Sequence, residues 1–289
     1  MVGGTGNDLL SGGFGDDTFY VEAAGDRVYE VVGGGNDRVA TSVSYTLTAG
    51  QEIETLEAIT ITATDDFVLT GNEFDQTIIG NNGNNVLIGG GGKDTLVGNL
   101  GNDTYYVSNS ETAVRESENG GNDRVATSVS LELSGVAEVE TLEAVNLTAT
   151  DAIDLTGSDF ANTIIGNNGA NVINGRGGSD TLYGLGGSDV FEFTSALGSG
   201  NVDRIADFTS GTDTIALDDA VFTALTAGQL GAGAFATGTQ AADADDRIIY
   251  DSDTGAVYYD ADGNGSGAAV QFATLSAGLS LSASDFVVI

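Results

Sequence analysis

Aspartate recurs at one fixed place in a glycine-rich pattern of nine residues. Gly3-Gly-Thr-Gly-Asn-Asp-Leu-Leu-Ser11, Gly12-Gly-Phe-Gly-Asp-Asp-Thr-Phe-Tyr20 and Gly89-Gly-Gly-Gly-Lys-Asp-Thr-Leu-Val97 all read G-G-x-G-x-D-x-U-x, where U is apolar. The glycines allow the left-handed backbone of a tight turn, the Asp points a carboxylate from that turn, and U enters the core of the strand that follows. Calcium is a hard ion that takes roughly six to eight oxygens, so carboxylates and turn carbonyls stacked coil upon coil suit it. The candidate carboxylates are Asp8, Asp17, Asp26, Asp94, Asp103, Asp180 and Asp189. Backbone carbonyls near Gly4, Gly6, Gly13, Gly15, Gly90, Gly92, Gly101, Gly178 and Gly187 complete the set.

The elements that must hold these residues follow from two periodicities. The U positions step by nine through Leu10, Phe19 and Val28, through Leu69, Ile78, Leu87, Leu96 and Tyr105, and through Leu155, Ile164, Ile173, Leu182 and Phe191. A longer repeat of 86 residues carries Gly34–Ser44 onto Gly120–Ser130, Glu54–Ala58 onto Glu140–Ala144, and Thr77–Gly83 onto Thr163–Gly169. Short strands separated by Gly/Asn/Asp turns cannot bury a face alone, which predicts an all-β fold: a parallel β-roll or β-solenoid with two nonapeptides per coil. A helix is excluded by glycine inside every nine residues.

On these motifs, residues 1–193 resemble the RTX, or hemolysin-type calcium-binding, β-roll. The resemblance implies calcium between turns that stack two nonapeptides apart. Asp103 then stacks over Asn85 and Asp189 over Asn171, with Asn85 and Asn171 as neutral oxygen donors, and Asp8 stacks over Asp26. Asp94 and Asp180 fall over Gln76 and Asn162, which are poorer ligands and rank those two sites lower. Many turns carry Asn or Gln where the family has Asp, and Gly71–Ile79 reads as a tight turn only. The nonapeptide blocks are 3–29, 71–106 and 157–192.

The spacers, 30–70 and 107–156, lack the glycine code but keep β-branched runs such as Val43–Leu47, Ile53–Leu56 and Ile59–Ile61, and read as irregular coils of the same solenoid. Asp-Arg-Val/Ile recurs at Asp26, Asp37, Asp123, Asp203 and Asp246. Either the guanidinium bridges stacked carboxylates, or these are solvated charges at turn ends.

From Thr194 the nine-residue step dissolves. Strands are predicted around Ile205–Phe208, Asp213–Leu217, Arg247–Tyr250, Ala256–Tyr259 and Ala269–Phe272, with Asp251–Gly255 as a hairpin turn and Phe222–Leu230 as a short helical or irregular piece. Residues 194–289 form a β-rich domain expected to cap the solenoid's open end. The stretch Asp246–Gly265 resembles the C-terminal domain of serralysin-type secreted proteins. Within it Asp260, Asp262 and Asn264 fit the first half of an EF-hand-like loop, although the usual Glu position falls on Gln271; calcium loop and Gly/Asn turn both remain open. The end, Asp285-Phe-Val-Val-Ile289, resembles the uncleaved type I secretion signal of those proteins and equally fits an edge strand of the cap.

With 43 acidic against 8 basic residues the net charge is −35, which opposes compaction until cations neutralise it and excludes nucleic acid as a partner. Cysteine is absent, so stabilisation outside the cell falls to calcium rather than disulfides. No apolar run reaches membrane-span length, and Met1-Val2 leads into a repeat with no signal peptide. Without histidine or cysteine there is no zinc-protease motif, serine triad or thiol nucleophile. These features read as a non-enzymatic bacterial protein, or the C-terminal part of one, secreted or at the cell surface. Its expected partners are calcium ions and the type I secretion apparatus, with cell-surface polysaccharide as an open addition. Two other readings stand beside it: a surface, S-layer or matrix component, and an accessory module of a polysaccharide-active enzyme whose catalytic domain lies upstream.

Overall fold

Nine residues suffice for one tight turn and one three-residue strand, so eighteen make a coil with two faces. The computed structural model describes residues 1–289 and is all-β apart from two single-turn 3-10 segments, Ala232–Ala234 and Ala283–Asp285. The chain forms two compact units, Met1–Glu140 and Thr141–Ile289.

In the first unit, Thr18–Val21, Arg38–Thr41, Thr55–Ala58, Thr77–Ile79, Thr95–Val97 and Ala113–Arg115 make one parallel sheet. The other face carries Tyr45–Thr46, Val68–Thr70, Val86–Ile88, Thr104–Val107 and Arg124–Thr127, also parallel, and a separate pair, Leu9–Ser11 with Arg27–Tyr29. Spacer strands therefore interleave with nonapeptide strands in the same sheets. The stacking step is 18 residues in the nonapeptide blocks and varies from 17 to 24 where a spacer coil joins. Ile59–Ile61, expected as a strand, instead lies in an exposed turn.

In the second unit the parallel stacking runs past residue 193 without a break. Thr181–Tyr183 pairs with Asp203–Ile205, and Val190–Phe193 with Thr214–Leu217. Both faces are then covered: Val270–Thr274 lies parallel to Asp203–Ile205, and Phe286–Val288 lies parallel to Thr214–Leu217. An antiparallel meander of Ile248–Asp251, Ala256–Tyr259 and Val270–Thr274, turned at the expected hairpin, completes the cover.

Every U residue from Leu69 to Tyr105 and from Leu155 to Phe191 is fully buried, one per strand, so the core is a stack of single apolar side chains. At the capped end this column becomes aromatic. Phe193 meets Phe272 edge-on at 5.0 Å between centroids, and Phe272 meets Phe222 at 5.1 Å. Phe222–Leu230 forms irregular turns that contain the short strand Gly228–Gln229.

The second turn position adopts positive φ: 81° at Gly4, 93° at Gly13 and 98° at Gly90. The same conformation is held by Arg176 at 68° and by the half-exposed Leu185 at 69°, where a side chain strains the backbone. Replacing Leu185 with Gly should therefore raise stability by about 1 kcal/mol, measured by thermal melting in calcium. The terminal strand is not the expected edge strand, since Gly228–Gln229 pairs along its other side. Phe286 is fully buried beside Phe235. Phe286→Ala should cost about 3–5 kcal/mol in denaturant unfolding with calcium present; a loss below about 1 kcal/mol would contradict this packing.

Candidate metal centre

Each strand starts with a backbone N–H that must find an acceptor on a neighbouring coil. At the sixth repeat position the acceptor is the carboxylate one coil further on. Asp8 N–H donates to Asp26 Oδ1 (3.0 Å), Gln76 N–H to Asp94 Oδ1 (2.9 Å), and Asn85 N–H to Asp103 Oδ1 (2.6 Å). In the second unit Asn162 N–H donates to Asp180 Oδ1 (2.7 Å) and Asn171 N–H to Asp189 Oδ1 (2.8 Å). Asp103 thus stacks over Asn85, Asp189 over Asn171, and Asp94 and Asp180 over Gln76 and Asn162.

The column continues into residues that the nine-residue code does not mark. Asp17 N–H donates to Asp37 Oδ1 (2.8 Å), Asp37 N–H to Glu54 Oε2 (2.5 Å), Asp103 N–H to Asp123 Oδ1 (2.7 Å) and Asp123 N–H to Glu140 Oε2 (2.6 Å). Asp180 and Asp189 donate likewise to Asp203 and Asp213, each at 3.0 Å. The acid of Asp-Arg-Val/Ile at 37, 123 and 203 is therefore a column member. Its arginine is the first strand residue or next to it: Arg38 pairs with Glu57 on the strand face and does not bridge the column. The recurrence of that acid was the available signal, masked by spacing other than nine.

Two kinds of turn alternate. In the Asn and Gln turns the amide closes its own loop: Asn85 Oδ1 accepts from Asn81 N–H (3.0 Å), while its Nδ2 donates to Asn81 Oδ1 (2.9 Å) and to Gly83 O. Asn171 and Gln76 repeat this with Asn167 and Asn72. In the Asn85 turn the amide protons thereby occupy the side-chain oxygen of Asn81 and the carbonyl of Gly83. In the Asp turns nothing does so. Asp8, Asp94, Asp103, Asp123 and Asp180 each keep a buried Oδ2 with no hydrogen-bond donor in reach. The first-position glycines make room for these oxygens: a Cβ on Gly89, Gly98, Gly175 or Gly184 would collide with Oδ2 of Asp94, Asp103, Asp180 or Asp189. Asp26 differs, because its Oδ2 accepts from Glu22 and Ala23 N–H, each at 3.2 Å, which with Asp8 N–H holds its carboxyl below the usual range.

The ranking expected of these sites therefore changes its basis. Gln76 and Asn85 close their turns alike, and the difference lies on the following coil, where Asp103, Asp180 and Asp189 meet Asp123, Asp203 and Asp213 but Asp94 meets Thr112 Oγ1 at 3.4 Å. In the loop at 260–265, Asp262 N–H donates to Asp260 Oδ1 (3.2 Å), and Asp262 Oδ2 turns back to accept from Gly267 N–H (3.0 Å). These bonds use the oxygens within the loop.

A buried carboxylate with an idle oxygen is the donor chemistry of a hard divalent ion, and the column supplies it repeatedly. Residues 1–28, 70–105 and 156–191 match the RTX calcium-binding nonapeptide repeat in four copies. The chain carries RTX calcium-binding repeats. Calcium is its ion, and secretion is the general habit of RTX-repeat proteins. It is also similar to an endo-1,3-1,4-beta-glycanase, ExsH, of Rhizobium meliloti (strain 1021), at 39% identity over 72 residues. That likeness covers 25% of this chain and 14% of the glycanase. No helix of the chain is long and apolar enough to cross a membrane.

Burial, before any other cause, pushes the acids of the column up: Asp103 to about 7, Asp123 to about 6 and Glu116 to about 8. Asp180 is raised by burial and further by the charge of Asp203, whereas Asp203 is raised by burial alone, against hydrogen bonds with Asp180 that pull it down. Unfolded carboxyls titrate near 4, so between about pH 4 and 8 the calcium-free folded state binds more protons than the unfolded one. Stability without calcium must therefore fall as pH rises through that window. In chelator the β-sheet circular dichroism signal should be larger at pH 5 than at pH 8. Calcium should raise the melting temperature more at pH 8, where no protons must be displaced. A melting temperature in chelator that is flat or rises with pH would refute the assignment.

Proposed function

We propose that this chain is a non-catalytic, calcium-folded module of a secreted protein, held unfolded where calcium is scarce and folded by calcium after export. The supporting observation is the column of buried carboxylates, in which Asp94, Asp103, Asp123 and Asp180 each keep one oxygen on a backbone N–H and the other idle. Burying unpaired carboxylates costs several kcal/mol each in a chain of net charge −35. Binding free energy then becomes folding free energy. Asp94, Asp103, Asp180 and Asp189 are the ligands proposed in the nonapeptide turns, with Asp8 and Asp17 at the first coils. Asp26, Asn85 and Asn171 serve as stacked partners whose turn carbonyls border the sites. The loop of Asp260, Asp262 and Asn264 remains a weaker candidate, since it closes on itself.

The proposed route of export is a type I apparatus reading the C-terminal Asp285–Ile289. Asp285 has a structural task as well: it accepts from Gly211 N–H (2.7 Å) and Ser282 N–H (2.7 Å). An export address in this segment would be read before the cap folds. The likeness to a glycanase favours a second reading, in which the module accompanies a polysaccharide-active domain elsewhere in a longer chain. The cell-surface or matrix role is a variant of the first reading, with the folded roll itself as the working surface.

At pH 7.5 in chelator the chain should give the circular dichroism of a largely disordered polypeptide and gain β-structure cooperatively on calcium titration. A β spectrum in chelator equal to that in calcium would sink the proposal.

A further inference from the structure

The coil that follows each of two nonapeptides carries glutamate where the repeat has its first glycine. Tyr29 pairs with Ser11 and Arg115 with Val97, so Glu30 lies over Gly12 and Glu116 over Gly98. The two glutamates stand 86 residues apart, as do Asp17 and Asp103, and Asp37 and Asp123. In each copy carboxylate oxygens of the three acids, Asp17, Glu30 and Asp37 or Asp103, Glu116 and Asp123, lie within 4.8 Å of one another.

We propose that each set is a three-carboxylate calcium site, built half from an RTX nonapeptide and half from the spacer; this rests on the reading of the roll as a calcium-folded module. Glu30, Asp37, Glu116 and Asp123 all lie outside the residues that match the repeat. Acid clusters are common, but these contain buried oxygens aimed inward with no donor. Oε2 of Glu30 and Oδ2 of Asp37, Asp103 and Asp123 have no hydrogen-bond partner, and the four residues are at most 2% exposed. The backbone is shaped for the glutamate. Gly13 N–H (3.0 Å) and Val31 N–H (2.8 Å) both donate to Glu30 Oε1, which directs Oε2 toward Gly12, where a Cβ would collide with it. In the second copy a Cβ on Gly120 would stand 3.0 Å from Asn99 O and 3.2 Å from Glu116 Oε2, so a carbonyl and a carboxylate oxygen border the same small space. Three carboxylates with neighbouring carbonyls form a hard oxygen set that a divalent ion neutralises better than the single idle oxygen of Asp94.

The copies differ in the ring beside the glutamate. Tyr105 donates its hydroxyl to Glu116 Oε1, whereas its counterpart in the first copy is Phe19, and Glu30 has no such bond. Tyr105→Phe therefore copies packing that the first site already uses.

Calcium bound per chain is counted by equilibrium dialysis for the full chain and for Glu30→Gln, Glu116→Gln and the double variant. One, one and two ions fewer than the unaltered chain are expected, with the remaining ions kept. Counts unchanged in all three variants, with the unaltered chain binding calcium, overturn this inference alone; an unaltered chain that binds no calcium overturns the broader reading instead. Should a Gln variant fail to fold, terbium luminescence of Tyr105→Phe decides the second site without touching a ligand. The chain has no tryptophan, so emission is sensitised by tyrosine, and loss of the ring hydroxyl bonded to Glu116 should reduce it clearly. Unchanged emission overturns an ion at that site.

Discussion

The bond from a strand-leading N–H to a carboxylate on the next coil governs the rest of this structure. It fixes the stacking register, because the donor of one coil and the acceptor of the next must coincide. In Asp94, Asp103, Asp123 and Asp180 it also divides the acid in two, since one oxygen is spent on the backbone and the other is left in a buried place with nothing to bind. The preceding repeat position works in the opposite direction: Asn84 N–H reaches back to Asp66 Oδ1, Asn102 N–H to Asn84 Oδ1 and Asn122 N–H to Asn102 Oδ1, at 2.8 to 2.9 Å. Neighbouring residues thus tie each coil to the one before and the one after. A slip of one residue would break both sets, so polar bonds share with the apolar column the task of choosing the register.

The idle oxygen can be satisfied in three ways, and the chain uses residue type to choose among them. An amide in place of the acid supplies its own N–H groups and closes the turn without an ion, as Asn85 and Asn171 do. A second pair of backbone donors does the same for Asp26. A proton or a metal ion is left for Asp94, Asp103, Asp123 and Asp180. Mixing these solutions gives a roll whose amide turns are closed by their own hydrogen bonds and whose acid turns leave oxygens open to a cation. A column made only of acids would carry more uncompensated buried charge; one made only of amides would fold wherever it was made.

Much of this was legible in the residues. The U positions named the core one side chain at a time, because a nine-residue step with glycine on either side admits only a three-residue strand. The 18-residue stacking followed from that step and placed Asp103 over Asn85. The spacers were harder. They contribute Asp37, Asp123 and Asp203 to the acid column through coils of changed length, and a fixed period cannot find a residue whose spacing varies while its three-dimensional place does not. Glu30 and Glu116 were hidden for a different reason. Each replaces a glycine and so reads as a lost repeat, yet the glutamate works because glycine survives one coil below it. The terminal strand looked like an edge because it ends the sequence; only long-range pairing with Thr214–Leu217 on one side and Gly228–Gln229 on the other puts it inside a sheet.

That pairing bears on the order of assembly. Phe286–Val288 covers one face of the last coil and Val270–Thr274 the other, so each relies on a strand of that coil for its pairing. In a solenoid each coil is stabilised by its neighbours, so a cover on the last coil stabilises those beneath it. The covering strands lie within residues 270–289, far in sequence from the first acid column. At this end Asp285 is satisfied by Ser210, Gly211 and Ser282, and the aromatic cluster of Phe193, Phe222 and Phe272 gains from burial. The cap is therefore held by apolar packing and by hydrogen bonds within the chain, in contrast to the acid turns, whose idle oxygens find no donor.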